Sequence, residues 1–504
     1  MDHTHFRFAA PLLLALMLAV GCATSHRTPA AEPYEPTWES LAKVNEAPDW
    51  FRDAKFGIYF HWGVYSVPAF GNEWYPRNMY NPKSREYRYH VESWGDPNTF
   101  SYPDFVPMFR AERFDAEAWA ELFERAGARF AGPVAEHHDG WAMWASEMTP
   151  WNTADRGPKR DITGELEKAV RKRGMKFVTT FHHARNNLWQ KHGRDGQLAW
   201  TGHYQFVKEH FPALLEDSER AILYGYMPRE EFLAMWLGKL TEVIDKYRPD
   251  LMWFDSWLDE IPESLLQEYL AYYYNRAWEW NKEVVVTRKQ DDLPLSVSVQ
   301  DIEKGRADRL TENSWLTDDT ISMGSWCYTK DLRIKPASVV LHSLIDTVSK
   351  NGALLLNISP MADGTIPQNQ RDVLLEMGRW LKVNGEAIYG TRPWTIYGEG
   401  STQGQAGHFG GVTDPKEGYR PEDIRFTTKA RTLYAISLGW AEGSLTIRSL
   451  KSGSDLFTGE IASVSLLGSK ARIQWSRTPD GLVITMPKER PCDHAAAFKI
   501  TPRR

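Results

Sequence analysis

The chain has 504 residues, 60 basic and 66 acidic side chains for a formal charge of −6, and 42% hydrophobic residues. These are the proportions of an ordinary globular protein, long enough for a large catalytic domain and a smaller one, and they exclude disorder over most of the length. Near-balanced charge without a long Lys/Arg run argues against nucleic acid as a partner, and three cysteines (Cys22, Cys327, Cys492) with no CxxC pair argue against a disulfide framework or a zinc ribbon.

Phe8 to Val20 is an almost unbroken apolar run of signal-peptide length, followed by Gly21-Cys22-Ala23-Thr24-Ser25. Residues 1–22 read as an export signal similar to that of bacterial lipoproteins, with Cys22 lipidated and lipid the only membrane contact; cleavage elsewhere and secretion is the alternative. Periplasm or cell envelope is the expected location. Residues 23–40, rich in Thr, Pro, Ala and Glu, read as a flexible tether.

From about Trp50, short β-rich runs alternate with amphipathic helical stretches, as parallel β/α units do. Strands are predicted over Phe56–Phe60, Phe130–Glu136, Lys176–Phe181, Leu251–Phe254, Val284–Thr287, Leu295–Val299 and Ala353–Ile358. Apolar residues at three- and four-residue spacings predict helices over Ala116–Ala126, Glu165–Arg173, Glu230–Lys246, Ser264–Trp280 and Ser338–Ser349. The fold class is therefore α/β, a (β/α)8-like TIM barrel over residues 41–390 with one strand or helix degenerate or missed. Residues 391–504 change texture to short alternating runs, among them Thr432–Ser437, Ser444–Ile447, Ala471–Trp475 and Gly481–Met486, and read as an antiparallel β-sandwich.

In a parallel barrel the chemistry sits at the carboxyl ends of the strands. Here nearly every run closes on a polar residue: His61, His137 and His138, His182 and His183, Asp255, Arg288, and Asp301 or Glu303. Alternation puts Trp253 and Asp255 on one face of their strand, and a carboxylate among tryptophans must be held there by hydrogen bonds or charge. A zinc site from His61, His138, His183 and Asp255 is the metal alternative. No HExxH helix is present and adjacent His137 and His138 should point to opposite sides of a strand, so neither metal nor cofactor is expected. The 22 Trp, 21 Tyr and 22 Phe supply flat apolar faces, for a core or for stacking on sugar rings.

Several segments in order, Trp50 to Pro68, Asn72-Glu73-Trp74-Tyr75, His137-His138-Asp139-Gly140-Trp141, the run around Asp255, Ser325-Trp326-Cys327-Tyr328 and Asn351 to Pro360, resemble glycoside hydrolase family 29, the α-L-fucosidases. The resemblance spans Trp50 to about Trp394 and implies a retaining exo-hydrolase acting on a fucosylated oligosaccharide or glycoconjugate. It implies Asp255 as nucleophile, His61, Glu73, Trp74, His137 and His138 as ligands of the fucose hydroxyls, Trp326 beside the sugar methyl, and Arg288 lining the pocket. Where such families often carry Tyr, this chain has His182-His183-Ala184-Arg185-Asn186, so His183 enters only as a pocket residue. Glu303 is taken as the acid/base from its strand-end position and spacing before Trp326, with Glu312 and Asp318 as rivals. The remaining alternatives are a related specificity such as α-L-galactoside hydrolysis and a catalytically silent glycan-binding lipoprotein.

Overall fold

The computed structural model describes residues 33–503 apart from 191–198, 201–202, 290, 403, 405, 408–414 and 416–417. The export signal and Cys22 lie outside the described residues. Eight parallel strands, β1 (Phe56–Phe60), β2 (Phe130–Glu136), β3 (Lys176–Phe181), β4 (Leu251–Phe254), β5 (Val285–Arg288), β6 (Val299–Asp301), β7 (Trp315–Thr320) and β8 (Gly352–Ile358), pair in chain order and close into a barrel, with β1 between β8 and β2. Tyr59, Val178, Trp253, Val285, Leu316 and Leu355 fill its interior, whereas Met252 and Phe254 of β4 belong to the larger core that includes the surrounding helices.

Two barrel strands depart from expectation. β7 reads Trp-Leu-Thr-Asp-Asp-Thr, and all six residues are buried although two are carboxylates. Each carboxylate has a partner that offsets its desolvation: Lys335 Nζ donates to Asp319 at 2.8 Å and Tyr59 OH to Asp318 at 2.9 Å. The strand expected over Leu295–Val299 instead begins at Val299, because Pro294 O accepts from Val297 N and from Ser298 Oγ and bends the chain into a turn.

Helices α1 (Ala116–Ala126), α2 (Ile162–Lys172), α3 (Arg229–Tyr247), α4 (Glu263–Glu279), α5 (Ala337–Ser349) and α6 (Gln368–Asn384) surround the barrel. α1 shows why they form: the Asp115 carboxylate accepts the Ala118 N–H, Trp119, Leu122, Phe123 and Ala126 make one buried face, and Gly127 ends it at φ 93°. The crossovers from β5 to β6 and from β6 to β7 contain no helix among the described residues. No described helix is long and apolar enough to cross a membrane.

Beyond the barrel lie β9 (Arg392–Glu399), β10 (Ile424–Lys429), β11 (Thr432–Ser437), β12 (Ser444–Ile447), β13 (Ile461–Leu466), β14 (Trp475–Thr478), β15 (Gly481–Thr485) and β16 (Ala496–Pro502). They form a five-stranded sheet, β9-β10-β11-β16-β13, and a three-stranded one, β12-β15-β14, around a core that includes Phe426, Ile447, Leu482, Ile484 and Phe498. Asp346 of α5 ties the two parts together, accepting Arg425 Nε at 2.6 Å and Lys350 Nζ at 2.8 Å. The chain leaves the barrel where it enters: Gly390 N donates to Asp53 O at 3.0 Å and Arg392 pairs with the Asp53 carboxylate at 2.6 Å.

The expected tether is docked over its described part. Tyr34 exchanges backbone hydrogen bonds with the Asn275 side chain of α4 at 2.7 and 2.9 Å and packs on Tyr274, and Leu41 is fully buried.

Candidate active site

The carboxyl ends of the strands surround a cavity of about 260 Å³ lined by residues from His61 to Trp326, among them Glu73, Trp74, His137, His138, Asp255 and Glu303. Asp255 follows β4 on the same face as Trp253. Its neighbour is Lys289, one residue past β5, whose side chain is 2% exposed and whose ammonium donates to Asp255 Oδ1 at 3.0 Å and to Glu303 Oε2 at 2.7 Å. The same nitrogen lies 3.8 Å from Asp318 and 3.9 Å from Asp301, so one cation faces four carboxyl groups.

That imbalance sorts the protons. Burial pushes the Asp255 carboxyl up, but Lys289 and Arg185 outweigh it and hold it below the ordinary aspartate range. Glu303 is pushed up to about 7, first by burial and then by the nearby charges of Asp318 and Asp255, which Lys289 offsets only in part. Asp301 is raised as well, by burial and by Asp318. Burial lowers the Lys289 pKa, and the surrounding carboxyl groups, Asp255 first, outweigh this and hold the ammonium charged. Two carboxyls in one cavity are thus set to opposite protonation states, as acid/base chemistry requires.

Around them stand polar groups suited to hydroxyls. Asn357 donates through its amide nitrogen to Thr320 Oγ1 and to Trp326 O, leaving its oxygen to accept the His61 backbone N–H and, at 2.8 Å, His61 Nδ1. This network assigns the ring proton to Nδ1, which leaves Nε2 an acceptor. Burial lowers the pKa of His61 to about 3 and those of His137, His138 and His182 well below the usual histidine value, so all four are neutral near pH 7. Nδ1 of His137, Nδ1 of His182 and the Trp253 indole nitrogen are buried without a hydrogen-bonding partner among the described residues. Glu73 accepts the Trp326 backbone N–H at 3.0 Å and Ser325 Oγ at 3.3 Å, which joins two loops across the barrel mouth. The Trp326 ring lies 5.3 Å from that of His61 and forms an apolar wall.

Three expectations need correction. His183 does not line the cavity; its ring packs against Trp236, with Nε2 3.4 Å from that residue's carbonyl. Arg288 is also outside, held by Gln300 at 2.9 Å and by the Leu293 carbonyl. In both cases the neighbouring residue, His182 or Lys289, has the inward parity. His137 and His138 both reach the cavity, with ring centroids 4.2 Å apart, because a register shift between Val134 and Glu136 breaks strict alternation just before them. Of the rivals to Glu303, Glu312 is exposed and absent from the lining, while Asp318 lies deep and receives the Tyr59 hydroxyl. The imagined zinc set is not assembled, since His183 faces away; the ring nitrogens that approach within 4.8 Å of one another are those of His61, His137 and His182.

A family model described as Alpha-L-fucosidase matches residues 21–386, and one described as Alpha-L-fucosidase C-terminal domain matches residues 419–501. The chain belongs to the α-L-fucosidase family. Among its relatives in that family, the tissue alpha-L-fucosidase of Homo sapiens is 32% identical over 98% of this chain and 97% of its own, and the plasma alpha-L-fucosidase of Rattus norvegicus is 33% identical over 98% and 99%. The Thermotoga maritima alpha-fucosidase solved in complex with fucose superposes with a TM-score of 0.71 at 28% identity, covering 92% of this chain and 99% of that one.

In this member of the α-L-fucosidase family, sequence reasoning missed Lys289, Arg185 and Ser256 as lining residues and preferred His183 to His182, which it had placed at the same strand end. Arg185 is clamped between the indoles of Trp74 and Trp257, its guanidinium 4.5 and 4.3 Å from their ring centroids. Trp257 takes a positive φ of 88°, a strained conformation two residues after Asp255 that keeps its ring on Arg185. Inward parity was the available signal for His182 and Lys289; nothing local in the sequence marks the Arg185 clamp.

Proposed function

We propose that this chain is a retaining exo-α-L-fucosidase that works by double displacement. One observation carries the reading: Asp255 and Glu303 share the Lys289 ammonium. The two carboxyl oxygens it bridges are no farther apart than its two hydrogen bonds laid end to end, short of the ~6.5 Å at which inverting pairs begin. Asp255, ionised, attacks the anomeric carbon and forms a covalent fucosyl-enzyme while Glu303, protonated, gives its proton to the departing oxygen. Glu303 then takes a proton from water as that water releases the sugar. His61, Glu73, Trp74, His137 and His138 hold the fucose hydroxyls, with Trp326 beside the C5 methyl, where an indole wall favours CH3 over CH2OH. The small cavity suits a single terminal residue. The sequence of residues 1–22 supports action outside the cytoplasm.

Hydrolysis of 4-nitrophenyl α-L-fucoside tests this directly. The mature protein is expected to turn it over with or without EDTA, and Asp255→Ala to be inactive yet melt at the wild-type temperature. Azide should rescue Asp255→Ala with inversion and Glu303→Ala with retention. Preference for the α-L-galactoside, or full activity in Asp255→Ala, would refute the assignment.

A further inference from the structure

Glu303 sits on a helix-free crossover, the loop from β6 to β7, and the described contacts fasten that loop on two sides. On the barrel side, Thr317 Oγ1 donates to the carbonyls of Ile302 at 2.9 Å and Gly305 at 3.1 Å, and Lys304 N donates to Asp318 O at 2.8 Å. On the other side the partner is the C-terminal domain. Gly407 N donates to Arg306 O at 3.0 Å, and the buried Arg306 guanidinium donates to Tyr419 OH at 2.7 Å. A Cβ at Gly305 would stand 2.2 Å from the Gly407 carbonyl oxygen, so the two backbones meet where no side chain fits. Tyr419 is itself held, its ring 5.3 Å from the Arg425 guanidinium that pairs with Asp346.

We infer that the C-terminal domain positions the acid/base of the reaction, with Arg306 and Tyr419 as the positioning residues that aim Glu303 at the departing oxygen. The inference rests on the proposed roles of Asp255 and Glu303. No described helix backs this loop, so Gly407 and Tyr419 supply the rigidity that a barrel helix gives elsewhere. The proton that Glu303 delivers as the C1–O bond breaks and the Asp255–C1 bond forms matters most when the leaving group is a poor one.

Leaving-group dependence separates this role from a merely structural one. In Tyr419→Phe and Arg306→Lys, kcat/KM is expected to stay within about twofold of wild type for 2-chloro-4-nitrophenyl α-L-fucoside and to fall roughly tenfold or more for methyl α-L-fucoside, part of the ~10²–10⁴-fold that a positioned acid supplies. Glu303→Gln should give the same pattern, larger. Gly305→Ala, whose Cβ would stand 2.2 Å from the Gly407 carbonyl oxygen and 2.4 Å from Ile302 Cγ2 without touching Arg306 or Tyr419, should reproduce it. Equal losses on both substrates, or none on either, overturn the inference. A wild-type chain inert toward both would refute the fucosidase reading on which it rests, and the inference with it.

Discussion

Lys289 does for this cavity what a single charged partner does for an ordinary ion pair, but for four groups at once, and that makes its removal informative. A buried carboxylate loses its reason to ionise when its cation goes, so Lys289→Met should raise the pKa values of both Asp255 and Glu303. In the wild type, kcat/KM should decline as pH rises through about 7, where Glu303 gives up its proton, and hold on the acid side down to below the ordinary aspartate range. In Lys289→Met both limbs should move to higher pH, with kcat reduced by at least about 100-fold because a neutral Asp255 is no nucleophile. A pH–rate profile of the variant superposable on the wild type would remove Lys289 from the electrostatics of the site.

At the scale of elements, α3 is fixed to β2 by a pair buried at both ends: Lys239 Nζ donates to Glu136 Oε1 at 2.7 Å, the two side chains being 2% and 1% exposed. Lys239→Met is expected to cost about 3–5 kcal/mol, since it strands a carboxylate in the core, and Lys239→Met with Glu136→Leu to recover most of that loss. Urea unfolding midpoints would check both, and a double variant no better than the single would contradict the account. The legibility of the elements follows the same physics. Runs such as Phe56–Phe60 and Leu251–Phe254 announce themselves because apolar residues alone carry them into the core. β7 does not, because Asp318 and Asp319 are buried by virtue of Tyr59 and Lys335, which are far away in the sequence. Asp255 and Glu303 could be read from strand ends. Choosing Lys289 over Arg288 and His182 over His183 needed the parity of each strand carried one residue past its end. The register shift that turns both His137 and His138 inward depends on pairing with a neighbouring strand, which a single sequence does not display.

For the whole molecule, acid sets two groups of side chains against each other. His61, at about 3, His183 and His342, at about 4, and His137, His138, His182 and His203, all far below the usual value, stay neutral in the fold while the unfolded chain takes protons near pH 6.5. Acidification therefore favours unfolding by up to about 1.4 kcal/mol per pH unit for each. Glu303 and Asp139, both pushed by burial to about 7, and Asp301 work the other way, since the fold binds their protons first. Below about pH 4 those carboxyls are protonated in both states and the opposition ends. Calorimetric melting temperatures are expected to fall as pH drops below about 6.5, because the seven histidines outnumber the three opposing carboxyls, and to keep falling below pH 4, where that opposition has ended. A melting temperature that rises between pH 6.5 and 4 would show that the histidines are not held neutral. The Asp346 carboxylate, kept at about 2 by Arg425 and Lys350 against its burial, should join the parts of the molecule until the most acid conditions. Gly390 touches Asp53 at the point where the chain first enters the barrel, so the ring of strands has a single seam, and both the N-terminal segment and the C-terminal domain hang from it. A permuted barrel, joined across that seam and opened at the exposed turn around Gly174, would give every strand the same two neighbours. Which strand leaves the ribosome first is then incidental to the architecture.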